Sequence, residues 1–327
     1  MSGSGSKKQM KEKIVQIYEA YFKGEDQSLT NPNFWDEFFL LKPKPNVLES
    51  ELIKLNSEQL LALKDNINLL FSKCVSMLNN EHHIRVAHSL LSLIGLIRGI
   101  YTRPPSDVGC DILDILVGLT SADLQLQLLI ENCCDILSGE LPSIVKTLCL
   151  RLILTMCSAS DNISSNALIE HLMLHSIFEP LFQILCSSEG RTEHGRDAVL
   201  VMTFLTSYKR TIGANPYVVK LSLLDDELAL TGYARVITNV LDEFNQKYVQ
   251  ARQAEPQNSW LSSLTSMVGS MFVSDEAALR IDQFKTIDSF LLSLYQAVFV
   301  NRHFMGILAH SQADLIPEPP IVTITDT

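Results

Sequence analysis

The stretch LPSIVKTLCLRLILTMCS, Leu141 to Ser158, decides the fold. Ile144, Val145, Leu148, Leu150, Leu152, Ile153, Leu154 and Met156 are spaced to fall on nearly every side of an α-helix. A surface helix keeps one wet face, whereas a helix apolar all round is enclosed by neighbours. This element therefore belongs inside a stack of other helices.

The chain on either side supplies that stack. Upstream, Lys7–Phe22 and the aromatic segment around Trp35 and Phe38 read as helices, and Lys42-Pro43-Lys44-Pro45 ends the second. Asn56 with Gln59 three residues on forms a capping-box pattern before a helix to about Leu78. Glu81–Tyr101, Asp107–Gly118 and Thr120–Leu137 follow. Downstream, a helix over Ser164–His175 takes Asp161 or Asn162 as its cap. Ile177–Cys186, a polar loop over Ser187–Glu193, and Glu193–Thr211 come next. Asn215-Pro216 is an N-cap with proline at the first helical position. Asp225–Ala251 and Glu276–Ser311, with a break near Thr286, complete the series. No segment alternates as a strand does. Helices in pairs or triplets, at about 40 residues per unit, match the armadillo/HEAT period. The expected fold is all-α, an armadillo/HEAT-like α-solenoid over residues 7–311. Residues 1–6 (MSGSGS) read as a disordered or appended leader, and 312–327 as the start of a Pro/Thr-rich linker.

Composition bounds the function. The chain has 327 residues, 46% of them apolar and 19% charged, the balance of a folded protein. A net charge of −11 argues against a nucleic-acid or anionic-lipid binder. Seven cysteines lie mostly in apolar helical runs without a CxxC, the usage of buried free thiols. No run of eighteen apolar residues marks a transmembrane helix, and the N-terminus lacks the apolar core of a signal peptide.

Chemistry-bearing motifs are scarce. The chain holds no phosphate loop, nucleophile elbow or zinc signature, and neither catalysis, cofactor nor metal is expected. His171 and His175 have the spacing of a metal pair but stand among leucines with no third ligand in context. Cys133-Cys134 cannot both face one core. Asp225-Asp226-Glu227 fits the positive start of a helix. Arg191, Arg196, Lys209 and Arg210 bracket one helix and read as a solvated face, with a partner's acidic segment as the alternative.

One stretch departs from ordinary helix chemistry. QNSWLSSLTSMVGSMFVS, Gln257 to Ser274, carries no charge. Trp260, Leu261, Leu264, Met267, Val268, Met271 and Phe272 share one helical side, and serines, threonine and glycine share the other. Two readings stand: a helix over 258–273, within a linker spanning 252–275, that leaves the body to meet a membrane interface or a partner's groove, or a helix docked permanently on the solenoid.

Longer runs carry a family likeness. KEKIVQIY (11–18), NPNFWDEFF (31–39), KDNINLLFSKC (64–74) and HHIRVAHSLLSLIGLIRG (82–99) come first. KTLCLRLILTMCSASDNISSNALIEHLMLHSIFEPLFQIL (146–185), NPYVVKLSLLDDE (215–227) and SLTSMVGSMF (263–272) follow in order. From about Lys7 to His310 the chain resembles the N-terminal half of the armadillo-like helical domain-containing protein 3 family. The resemblance implies a non-enzymatic adaptor, cytoplasmic and peripheral on Golgi and trans-Golgi membranes. It would recruit type III beta phosphatidylinositol 4-kinase and support phosphatidylinositol 4-phosphate production. The implied partners also include a large Golgi Arf exchange factor, an Arf-like small GTPase and the Golgi membrane surface.

Overall fold

The computed structural model describes residues 11–25, 27–102, 112–160, 166–210, 213–254 and 275–313. They form helices α1 (Lys13–Tyr21), α2 (Phe34–Phe38), α3 (Pro45–Lys54), α4 (Ser57–Ala62), α5 (Lys64–Met77), α6 (His83–Tyr101), α7 (Ile112–Leu116) and α8 (Ala122–Ser138). Then come α9 (Ser143–Cys157), α10 (Ala167–Leu174), α11 (Phe178–Cys186), α12 (Ser188–Ser207), α13 (Pro216–Leu223), α14 (Glu227–Ala254), α15 (Asp275–Val300) and α16 (Phe304–Ala313). Among the described residues no strand occurs. The chain divides into two compact units, Met1–Pro180 with Tyr208–Gly213, and Leu181–Ser207 with Ala214–Thr327.

In the first unit each helix packs on others close to it in the chain: α3 on α6, α6 on α5, α7 and α9, α8 on α5, α9 and α10. Such local stacking is the packing of an α-solenoid. The element that decided the fold, α9, buries Val145, Leu148, Cys149, Leu150, Leu152, Ile153 and Met156 between α6, α8 and α10. α6 is equally enclosed. Its Gly95 and Gly99 lie under α3, where an added Cβ would come within 3.0 Å of the Pro45 carbonyl oxygen and 2.7 Å of Leu52 Cδ1. The absence of side chains lets the two backbones approach. At the N-terminal end, Tyr18, Phe34, Trp35, Phe38 and Phe39 meet edge to face or stacked, closing the stack with aromatic surface.

In the second unit α12 packs on α13, α14 and α15, and α14 packs on α15 and α16. Phe182, Tyr233 and Phe304 stand in a row at centroid spacings of 5.6 and 5.8 Å. Tyr233 shares a 2.7 Å hydrogen bond with Ser293, so its hydroxyl is satisfied inside the core. Gly232 admits the Leu185 carbonyl so closely that an added Cβ would lie 2.0 Å from that oxygen.

A single side-chain device recurs at helix junctions. Asn166 caps α10 by accepting from Leu168 and Ile169 N–H, and donates 2.8 Å to the Met156 carbonyl near the end of α9. Asn215 caps α13 and donates 2.7 Å to the Leu205 carbonyl near the end of α12. Asn301 precedes α16, accepts from Phe304 N–H, and donates to both Leu221 and Leu224 carbonyls. Asparagine carries on separate atoms the acceptor a helix start needs and the donor a helix end needs, so one side chain serves both at once.

Two of these caps, and a serine–arginine pair at the start of α12, account for three departures from the expected boundaries. α10 starts after Asn166, later than the expected Ser164, with Asn166 as its cap instead of Asp161 or Asn162; residues 161–165 lie outside the described residues. The expected loop at Ser187–Glu193 is helix, because Ser187 Oγ accepts the Gly190 N–H and Arg191 covers the Leu185 and Cys186 carbonyls. The expected break near Thr286 falls at Asn301, where the side chain turns away to α13. The Asn56–Gln59 capping box forms as expected.

Candidate interaction surfaces

The seven residues expected to make membrane or partner contact, Trp260, Leu261, Leu264, Met267, Val268, Met271 and Phe272, lie outside the described residues. α14 runs to Ala254 and α15 begins at Asp275, so helix flanks this segment on both sides.

The second unit carries an exposed apolar face that the motif reading missed. From Ile287 to Val300 the chain reads IDSFLLSLYQAVFV, with Asp288 its only charge. Phe290, Ser293 and Ala297 point inward and are buried. On the other side Leu291, Leu292, Tyr295 and Phe299 are exposed, Tyr295 by 63% and Phe299 by 77%. Their steps of four align Leu291, Tyr295 and Phe299 in one line. The two rings stack, centroids 5.9 Å apart and 13° from parallel. Phe299 lies two residues from Asn301, which is anchored to the end of α13. There Leu223 is also exposed, as is Met305 in the first turn of α16. Aromatic anchors amid aliphatic surface are the usual core of a protein interface. The sequence shows that this helix is apolar on more than one side, with one charge in fourteen positions, but not which side faces the core.

The polar groups are arranged for structure. His171 is buried, its Nε2 3.8 Å from the Asp123 carboxylate, and burial pulls its pKa down. His175 only ends the same helix. Among the described residues no three His, Cys, Asp or Glu gather for a metal. Burial raises the thiol pKa of Cys74 and Cys149, and pushes Cys157 up to about 12. Cys133 is buried and its neighbour Cys134 half-buried, the split expected of adjacent residues; Cys134 too is pushed up to about 12. Protonated thiols are poor nucleophiles. Of the expected solvated basic face, Arg196 and Lys209 are exposed, Arg196 in a surface ion pair with Glu243, while Arg191 covers carbonyls and Arg210 lies against Glu170.

Comparison with known proteins agrees with the helical architecture. Armadillo-like helical domain-containing protein 3 of Xenopus laevis is 43% identical over 324 residues, 98% of this chain and 47% of that protein. Its Homo sapiens counterpart is 42% identical over 320 residues, 98% of this chain and 45% of that protein. The chain belongs to the armadillo-like helical domain-containing protein 3 family. It spans about half the length of these relatives, as the 47% and 45% coverages show. A Schizosaccharomyces pombe protein described as a UPF0588 membrane protein is 23% identical over 257 residues, 78% of this chain and 42% of its own. No family model matches the chain. A solved engineered protein covers 86% of the chain at 14% identity, but its TM-score of 0.37 is too low to carry argument.

Proposed function

We propose that this chain is the helical part of a non-enzymatic adaptor on the cytoplasmic side of Golgi membranes. It recruits type III beta phosphatidylinositol 4-kinase and so sustains phosphatidylinositol 4-phosphate. Arf and Arf-like GTPases and a large Arf exchange factor control when it does so. The observation that supports this most is family membership, joined to a helical body with the exposed α15 face. The fission-yeast relative, described as a membrane protein, supports contact with a membrane. One described helix, His83–Tyr101, is long and apolar enough to span a bilayer, yet α3, α5 and α9 enclose it as core. On this reading membrane contact is made by the uncharged segment 258–273, whose hydroxyl-rich composition suits loosely packed, curved bilayers.

Purified chain and kinase are mixed in a pull-down with and without Golgi-like vesicles. Retention of the kinase is the expected result, and its absence in both conditions overturns the reading for this part of the protein. Vesicle flotation of wild type against Trp260→Asp with Met271→Asp tests the membrane half. Loss of flotation in the folded variant is expected, and equal flotation leaves the alternative, a pure protein-interaction solenoid with that helix docked.

A further inference from the structure

Helix α8 has a second exposed face, and its chemistry differs from that of α15. Leu124, Leu128, Glu131 and Asp135 succeed one another at steps of four, three and four, so they form one line down the helix. All four are exposed, Leu124 by 66%. The opposite side, Leu126, Leu129, Ile130, Cys133, Ile136 and Leu137, is buried, so the outer leucines do not serve the core. Gln127 donates to Glu131 Oε1 at 2.8 Å, which orients that carboxylate without neutralising it. Neither Glu131 nor Asp135 forms an ion pair among the described residues.

The charge pattern of this region is one-sided. From Pro104 to Val145 the sequence contains no lysine or arginine, while Asp107, Asp111, Asp114, Asp123, Glu131, Asp135 and Glu140 all fall within it. Asp114 is answered by Lys64 at 2.7 Å from a neighbouring helix. On α10, packed beside α8, Glu170 is taken by Arg210 and Tyr208, and the exposed end residue is another leucine, Leu174. On α9 the exposed Arg151 makes no ion pair with the α8 carboxylates. The stripe is thus apolar at its N-terminal half and anionic at its C-terminal half.

We infer that the outer face of α8 is a docking surface for a basic amphipathic helix of a partner protein. Such a helix places apolar residues on Leu124 and Leu128 and two lysines or arginines, one turn apart, on Glu131 and Asp135. Charge selects this occupant. An anionic lipid surface is repelled by the carboxylates, and an acidic partner is repelled likewise. The inference names a surface and a partner chemistry that the adaptor reading leaves open. A kinase that fails to bind this chain leaves it untouched.

The test uses the full 327-residue chain and a fluorescent Leu/Lys amphipathic peptide of about 18 residues, long enough to hold a helical face. A Leu/Glu peptide of the same pattern and neutral phosphatidylcholine vesicles are the other arms. Anisotropy at near-physiological ionic strength is expected to show saturable binding of the Leu/Lys peptide only. Leu124→Ser with Leu128→Ser, and separately Glu131→Lys with Asp135→Lys, are each expected to weaken it by at least about tenfold. The second pair is also expected to gain affinity for the Leu/Glu peptide. Circular dichroism confirms folding of both variants, whose changes are on the surface. Peptide binding that is absent, or unchanged in both folded variants, overturns the inference. Vesicle binding that depends on Leu124 and Leu128 overturns it in favour of lipid.

Discussion

The side-chain nitrogen of Asn301 lies 2.7 Å from the carbonyl oxygen of Leu221, eighty residues earlier in the chain. The same side chain, itself buried, starts α16 and completes the end of α13, so one residue closes two helix termini. Asn301→Ala is expected to destabilise the protein by about 2–4 kcal/mol, from unpaired buried carbonyls and a lost cap. Asn301→Asp separates the two roles, since a carboxylate caps a helix but cannot donate. Urea unfolding should find Asp no better than Ala; a wild-type midpoint for Asp would refute the donor role.

Glycine positions give a paired test. At Gly232 a methyl group meets the Leu185 carbonyl oxygen at 2.0 Å, so Gly232→Ala must push two helices apart. A loss of about 1–3 kcal/mol or more is expected. At Gly306, inside α16, nothing lies within 4 Å of an added Cβ. Gly306→Ala is expected to gain about 0.5–1 kcal/mol from helix propensity alone. Thermal unfolding of both variants, read side by side, distinguishes crowding from propensity.

Acid should weaken the first unit through Asp114. The Lys64 ammonium, then the Leu119 N–H, hold its carboxyl below the usual carboxylate range. A pKa lowered on folding contributes stability that is present above the unfolded value, about 4, and lost as pH falls through the folded value. The stability gap between wild type and Asp114→Asn should therefore be constant at neutral pH and close in acid below about pH 4. Urea midpoints across that range check the sign. A gap that widens in acid contradicts it.

The thiols offer a mapping experiment. Cys74, Cys149 and Cys157 are buried with raised pKa values, so iodoacetamide at mildly alkaline pH should leave them unlabelled in the native protein. All should label once the chain is unfolded. Rapid native labelling of any of the three, read by peptide mass, would show that its helix opens.

Tyr295→Ser with Phe299→Ser probes the α15 face. Because both rings are mostly exposed, stability should change by no more than about 0.5 kcal/mol each. Kinase retention in the pull-down should fall if this face carries the partner. Unfolding of the double variant would instead assign the rings to the core.

The body of the fold was readable because its signals are local. Helical spacing placed α9 between neighbours, and Asn56-Gln59 and Asn215-Pro216 announced helix starts that the structure contains. Asn166 and Asn301 were missed as junctions because half of each one's role depends on carbonyls elsewhere in the chain, up to eighty residues away. The α12 start at Ser188 was missed because a polar run reads as loop until Arg191 is seen to cover the end of α11. The α15 face went unnoticed for another reason: its leucines and aromatics look like core residues, and only three dimensions show that the core lies on the other side.

The glycine pair at the meeting of α3 and α6 also governs how this protein can be cut. Gly95 and Gly99 offer α6 nothing with which to cover its own backbone, so α3 acts as its roof. Expression fragments that begin after Lys54 would lay bare a nineteen-residue apolar helix of the first unit and should precipitate; those that begin upstream of Pro45 keep it covered.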